Sequence, residues 1–470
     1  MKLLFMDRED VFNTWGHLRF RGAVLERVAE LEPDPAVSPD FTVRCCVRQD
    51  DGSYVVYACD GGRDHKPWQI YRYHTEDGIH LRAKEQVYQS EPGRWSQTTT
   101  LNYSPEQDLF LCLKNMKEDD GGSTYAYLSR DGERWDPCPA NPVYIEGDRW
   151  GCVWSSAVQR FITYNKGIQR YAGKLTPELL YGGVGLSERW DARRVVTIRT
   201  SRDGCRWEPD DPDWSRRGTQ VVDGVKRFGG PMVPPEYQIT PDDQDPPDLE
   251  FYAGYVFEYE GRYFMNMLNY APSLLPAGSP GVAPGGHGPN IDSEWWISRD
   301  GLRWERPFRE TNTITDRVAF IQHNPMVVDG RLLFHQRDLG RVTGEGTVLR
   351  QAHDVLGTPQ DRLTGVTSRS NAVFETTRFA MPGGPLKLNA KIPGDGYPNG
   401  RIQSFVMAEL IDDCDRIVPG YERHRCRLLP PQDSLAIELD WQGRNGAELA
   451  GRTVRIRFFL RAADLFAVTA

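Results

Sequence analysis

Two short acidic motifs hold the residues best suited to chemistry in this chain: Asp248-Leu249-Glu250 and Asp292-Ser293-Glu294. In an extended strand, residues two apart share a face, so each motif sets two carboxyls side by side. Crowded carboxyls drive their proton affinities apart. One then serves as an acid while the other stays ionised as a base or nucleophile. That division of labour is what cleavage of an acetal requires. The plain alternative for the first motif is a solvated acidic loop end, and for the second an edge-strand acid pair beside a packed tryptophan. Asp60, at the end of a strand-like run, is a third candidate base or nucleophile, and Asp338 a fourth catalytic candidate. Arg44, His65, Trp95, Trp154, Tyr252, His287, His323 and Arg337 are the candidate substrate contacts, as hydroxyl-binding cations and imidazoles or as rings that stack on a ligand face.

The elements that would position these residues are marked by a repeat. Ser-Arg-Asp-Gly-X-Arg-Trp begins at Ser129, Ser201 and Ser298, and a degenerate copy runs from Thr75 to Leu81. Each follows a strand-like run. Asp-Gly between extended runs is a strong turn signal, because glycine takes the positive φ without steric cost. Two further alternating runs precede each copy, giving about four strands per unit, the size of a propeller blade. Ala319–Val328, Arg331–Gln336 and Thr347–Gln351 are read as a fifth unit without the motif. The motif aspartates Asp77, Asp131, Asp203 and Asp300 are read as turn residues. From about Ser370 the repeat disappears and strand-like runs between Gly, Pro and Asp turns read as a β-sandwich. The expectation is an all-β chain: residues 1–36 as a closing or packing segment, 37–369 as a five-bladed propeller and 370–470 as the sandwich. A short helix is expected over Ala23–Leu31.

Composition limits the partners. The 470 residues carry a net charge of −9, which argues against nucleic acid or an anionic membrane surface. No apolar stretch is long enough to span a bilayer, and the four-residue apolar run at the N-terminus is too short for a signal core. The nine cysteines include no Cys-X-X-Cys pair and most lie in strand-like runs, as small buried hydrophobes in a reducing, cytoplasmic setting would. No metal-binding or cofactor-binding motif is present, so no cofactor is expected. Two insertions, Ala271–Asn290 and Pro209–Pro247, have the length of functional lids.

Five blades followed by a β-sandwich resembles glycoside hydrolase family 32, whose blades recur in families 43, 62 and 68. The resemblance rests on the Ser-Arg-Asp-Gly-X-Arg-Trp strands, on Phe251–Gly261, and on Thr376-Thr377-Arg378-Phe379, Asp433-Ser434-Leu435 and Gly451–Phe458 in the tail. It implies a glycoside hydrolase with a carbohydrate substrate and carboxylates in the propeller funnel, and a funnel covered by lid-length insertions suits exo action, on the end of a chain. The family's acids belong on the inner strands of blades one to three. Here those strands offer Arg44, Gln97 to Thr100, and Trp154 with Ser155. The departure keeps three other readings open: a non-catalytic carbohydrate-binding propeller, a sialidase-like enzyme, and a glycoside phosphorylase with Arg44 and Arg337 on phosphate.

Overall fold

The computed structural model describes residues 1–33, 41–60, 67–91, 96–118, 121–145, 149–170, 192–209, 218–222, 225–229, 235–245, 249–270, 291–309, 314, 321–337, 353–394 and 404–470. Among them strands dominate, and the only helical elements are three-residue 3-10 turns such as Arg423–Arg425.

Five antiparallel sheets follow one another along the chain as propeller blades. Blade one is Thr42–Arg48, Tyr54–Asp60, Gln69–Thr75 and His80–Gln89; blade two is built on Ser96–Ser104, Leu109–Glu118 and Gly121–Ser129. Blade three is Arg149–Ser155, Arg160–Arg170, Ala192–Ser201 and Gln238–Ile239, and blade four is Glu250–Tyr259, Arg262–Tyr270 and Ile291–Ser298. Blade five takes Met326–Val328, Arg331–Arg337 and His353–Pro359, and its fourth strand is Glu26–Glu30 from the N-terminus.

That last pairing corrects the helix expected over Ala23–Leu31. Spacing alone allowed a helical face. The ladder from Glu26↔Gly357 to Glu30↔Asp354 satisfies the backbone as a strand and zips the ring shut. The third strand of blade five also falls at His353–Pro359, beyond the expected Thr347–Gln351, which lies outside the described residues.

The repeated heptapeptide works as a latch between blades. Ser129, Ser201 and Ser298 Oγ accept the N–H of Gly132, Gly204 and Gly301 at 2.8, 2.9 and 2.8 Å. Trp135, Trp207 and Trp304 Nε1 donate to the carbonyls of those same glycines. Asp131 Oδ1 accepts the N–H groups of Glu133 and Arg134, and these bonds hold its carboxyl below the usual range. Each folded turn then seats on the preceding blade. Gly132 (φ 71°) meets Tyr57 of blade one, Gly204 meets Leu111 of blade two, and Gly301 meets Tyr164 of blade three. In the degenerate copy Leu81 replaces the tryptophan, and His335 of blade five donates to the Gly78 carbonyl instead, at 2.6 Å. The motif aspartates are therefore spent on turns.

Cys138 and Cys205, the latter inside the heptapeptide that begins at Ser201, form a disulfide with a Cα–Cα distance of 5.9 Å. It ties blade two to blade three and corrects the all-reduced expectation at this pair. Closing a long loop removes unfolded-state entropy, worth about 2–4 kcal/mol. Reduction under native conditions is expected to lower the thermal midpoint measured by calorimetry. The Cys414→Ser variant, changed at an exposed free thiol, should melt like the parent before and after reduction.

Beyond the propeller, a nine-stranded sheet is organised around Thr453–Thr469. One edge of this long strand pairs with Thr364–Thr376. The other pairs with Phe405–Asp412 up to Arg461 and with Lys387–Ile392 from Asp464 onward. At the change of partner, Ala462 has φ 46°. The N-terminal strands Lys2–Leu4, Val11–Gly16 and Arg19–Gly22 join the same sheet. Its core gathers Phe374, Leu410, Tyr421, Trp441, Phe458 and Leu460.

Candidate active site

The second strands carry polar residues towards the end nearest the start of the inner strand. Blade two runs Leu111-Cys112-Leu113 and then Lys114-Asn115. Blade three reaches Asn165, blade four Asn269 and blade five Gln336, while blade one ends in the partly exposed Asp60. Lys114, Asn115 and Asn165 are fully buried, and Asn269 and Gln336 nearly so. Burying a polar group is costly unless it is hydrogen-bonded. A collar of such groups, repeated at one end of blades two to five, is therefore a built feature.

The inner strands add a second regularity. In blades one to four the register slips by one residue near the strand start, at Arg44, Gln97, Trp150 and Tyr252. A bulge of this kind re-aims a side chain and often borders a functional site. Around Tyr252 the charges converge: Arg194 Cζ lies 5.7 Å from its ring centroid and Lys166 Nζ 5.5 Å. Arg194 also forms an ion pair with Glu250, which is 0% exposed. Glu250 and Tyr252, two residues apart, thus meet the same guanidinium of blade three. Across the ring, Lys114 Nζ donates to Thr99 Oγ1 at 2.6 Å and lies 4.9 Å from the Trp68 ring. The Cys59 thiol beside them is pulled below its ordinary value by a hydrogen bond with Cys112 and, against its burial, by Arg44 and Lys114.

The second acidic motif has a different environment. Glu294 is also 0% exposed, but Arg306 grips it with both arms, Nε to Oε1 at 2.7 Å and Nη2 to Oε2 at 2.6 Å. Asn269 Nδ2 adds a bond at 3.0 Å. Arg306 continues to Asp245 at 2.6 Å, and Arg309 to Asp245 at 2.9 Å. Part of the acidic insertion is thereby docked onto blade four. The ring of Trp296 stacks under Arg306, with Cζ 4.7 Å from its centroid. This is the partnering of a buried structural ion pair.

Arg44, Trp154 and His323 all line one cavity of about 630 Å³ bounded by inner strands of the five blades. Trp154 packs edge-on to Phe161, and its backbone N–H donates to Asn102 Oδ1 at 2.7 Å. Glu258, not singled out by sequence, lines the same cavity. Burial first, then Glu260 and Glu106, raise its carboxyl, against a 2.6 Å bond from the Gly261 N–H. Lys114, Arg194 and Arg306 also escaped the sequence reading; a lysine closing the apolar run Leu109–Leu113 was the one available signal. Asp248, Asp338, His65, Trp95 and His287 lie outside the described residues, as do the side chains of Asp292 and Arg337.

No family model matches the chain, and no curated protein matches it. Solved structures do resemble it. One described as a glycoside hydrolase is 8% identical, over 72% of this chain and 93% of that one, with a TM-score of 0.42. A family 117 glycoside hydrolase produced by the marine bacterium Zobellia galactanivorans is 10% identical, over 72% and 90%, with a TM-score of 0.37. The exo-β-1,3-galactanase from Phanerochaete chrysosporium, solved with galactose, is 8% identical, over 95% and 99%, with a TM-score of 0.33.

Proposed function

We propose that this chain is a carbohydrate-active enzyme, a glycoside hydrolase of family 32-like architecture acting on the end of an oligosaccharide or glycoside. The observation that carries the reading is the polar collar. Amide, hydroxyl and ammonium groups set among aromatic rings suit a polyhydroxylated ligand, whose hydroxyls need paired donors and acceptors while its ring faces stack on aromatics. Glu250 stands in that collar against Arg194. A carboxylate held by a guanidinium is suited to act charged, as nucleophile towards the anomeric carbon or as base towards water. Asp60, and Asp248 beside Glu250 in sequence, are the carboxyls proposed for the acid. Arg44 and Tyr252, both at register slips, are proposed to orient the sugar.

The purified chain is expected to hydrolyse at least one member of a panel of aryl glycosides and natural oligosaccharides, releasing a terminal sugar detected by chromatography. Saturable sugar binding without turnover across the panel would instead support a non-catalytic carbohydrate-binding propeller. That reading is favoured by the inner strands of blades one to three, which present Arg44, Thr99 and Trp154 where acids would serve catalysis.

A further inference from the structure

The seam where blade five meets blade one gathers three soft donors. Cys46 lies on the inner strand of blade one, two residues past the Arg44 slip. His323 precedes the inner strand of blade five, and His335 sits on its second strand. Their donor atoms all lie within 4.8 Å of one another. His323 and His335 are 3% and 4% exposed, and their rings are 5.2 Å apart. Cys46 and His323 open onto the axial cavity.

The hydrogen bonds sort the ring nitrogens. His335 Nε2 donates to the Gly78 carbonyl at 2.6 Å, which fixes the proton there. Its Nδ1 is left a bare lone pair, buried and without a hydrogen-bond partner. An imidazole anchored through one nitrogen on a backbone carbonyl, with the other free, is how metal-binding histidines are commonly held. His323 Nδ1 lies 3.4 Å from Cys46 Sγ and 2.7 Å from the Asn324 carbonyl, and its Nε2 accepts the His335 N–H at 2.9 Å.

We infer that Cys46 Sγ, His323 Nδ1 and His335 Nδ1 form a binding site for a thiophilic transition-metal ion such as Zn²⁺, clamping the last blade to the first. One thiolate and two imidazoles favour Zn²⁺ or Cu⁺ over the oxygen-seeking Ca²⁺ and Mg²⁺. On binding, the Cys46 thiol gives its proton to solvent. The His323 ring keeps one proton, moved from Nδ1 to Nε2, so its bond to the Asn324 carbonyl and the bond from the His335 N–H are both given up, and the one proton released per ion is that of the Cys46 thiol. A fourth position is left for water from the cavity.

The intact chain, incubated with Zn²⁺ and desalted, is expected to retain one ion per molecule by elemental analysis and to melt at a higher temperature than after chelation. Co²⁺ should give the visible bands of a tetrahedral site together with a thiolate charge-transfer band. That band should vanish in Cys46→Ser and weaken in His335→Gln. It should persist in Cys414→Ser, which alters the cluster of the buried Asp412 with the exposed Asp413 and Cys414. Circular dichroism shows whether each variant is folded, and the parent's metal content stands without any variant. Absence of a stoichiometric ion in the parent overturns the site, as does an unchanged charge-transfer band in folded Cys46→Ser.

Discussion

Glu250→Gln is expected to lower turnover on any glycoside the chain cleaves by about a thousandfold, within the range that removing a positioned acid–base or nucleophilic group produces. Glutamine keeps the shape and one acceptor oxygen but carries no charge, so it neither attacks an anomeric carbon nor takes a proton from water. The loss should fall on kcat, because Arg44, Tyr252 and the amide collar still meet the sugar. Calorimetric binding of a substrate analogue should therefore survive in the variant. Arg194→Gln is the companion. Glu250 loses the guanidinium that favours its charged form, so the acidic limb of the pH–rate profile should move towards higher pH. A variant that retains parental turnover removes Glu250 from the mechanism.

The outcome also separates an enzyme from a binding module. A propeller that only holds sugar has no turnover to lose, and Glu250→Gln would read there as a modest change in affinity. Because Glu250→Gln also removes a partner of Arg194, turnover is compared per folded molecule, with the urea midpoint as the check; the latch turns that hold the ring together are distant in sequence and already satisfied by Ser, Asp and Trp.

The five blades were legible because their signal is local. A Ser-Asp-Gly-Trp turn closes its own hydrogen bonds within seven residues, and the runs before it alternate as strands must. Tyr54–Asp60 and Gln69–Thr75 are two such runs, the second leading directly into the degenerate copy of the motif. The strand Glu26–Glu30 was not legible. Its partner lies more than 300 residues away, and an isolated Val-Ala-Glu-Leu stretch has helical propensity until a sheet edge is offered to it. The Cys138–Cys205 bond was hidden in the same way, since only the stacking of blade two on blade three brings those positions together. Around the two acidic motifs, the sequence showed the carboxylates but not their partners. Asp-Leu-Glu and Asp-Ser-Glu look alike on paper, but Arg194 reaches one from the neighbouring blade and Arg306 grips the other from the strand's own sequel. Those arginines, supplied from different parts of the fold, set the environments of the two glutamates apart.

That distinction gives the second large effect. Arg306→Met is expected to destabilise the chain by about 3–5 kcal/mol, the cost of leaving a buried charge without its partner. Glu294 would keep the Asn269 amide, and Asp245 would keep Arg309 and the Asp242 N–H, so the acidic insertion would lose one of its ties to blade four. The urea midpoint should fall, and limited proteolysis should begin within 235–245. The pair itself need not stabilise the fold over an apolar replacement. The double variant Arg306→Met with Glu294→Leu should therefore recover much of the loss, with Asp245 still held by Arg309. Recovery on removing the second charge identifies desolvation of Glu294 as the cause. If Glu294 instead served catalysis, Glu294→Gln would abolish turnover while leaving the urea midpoint near that of the parent. The two-armed grip of Arg306 argues for the reverse: a lowered midpoint, with turnover retained in the fraction that stays folded.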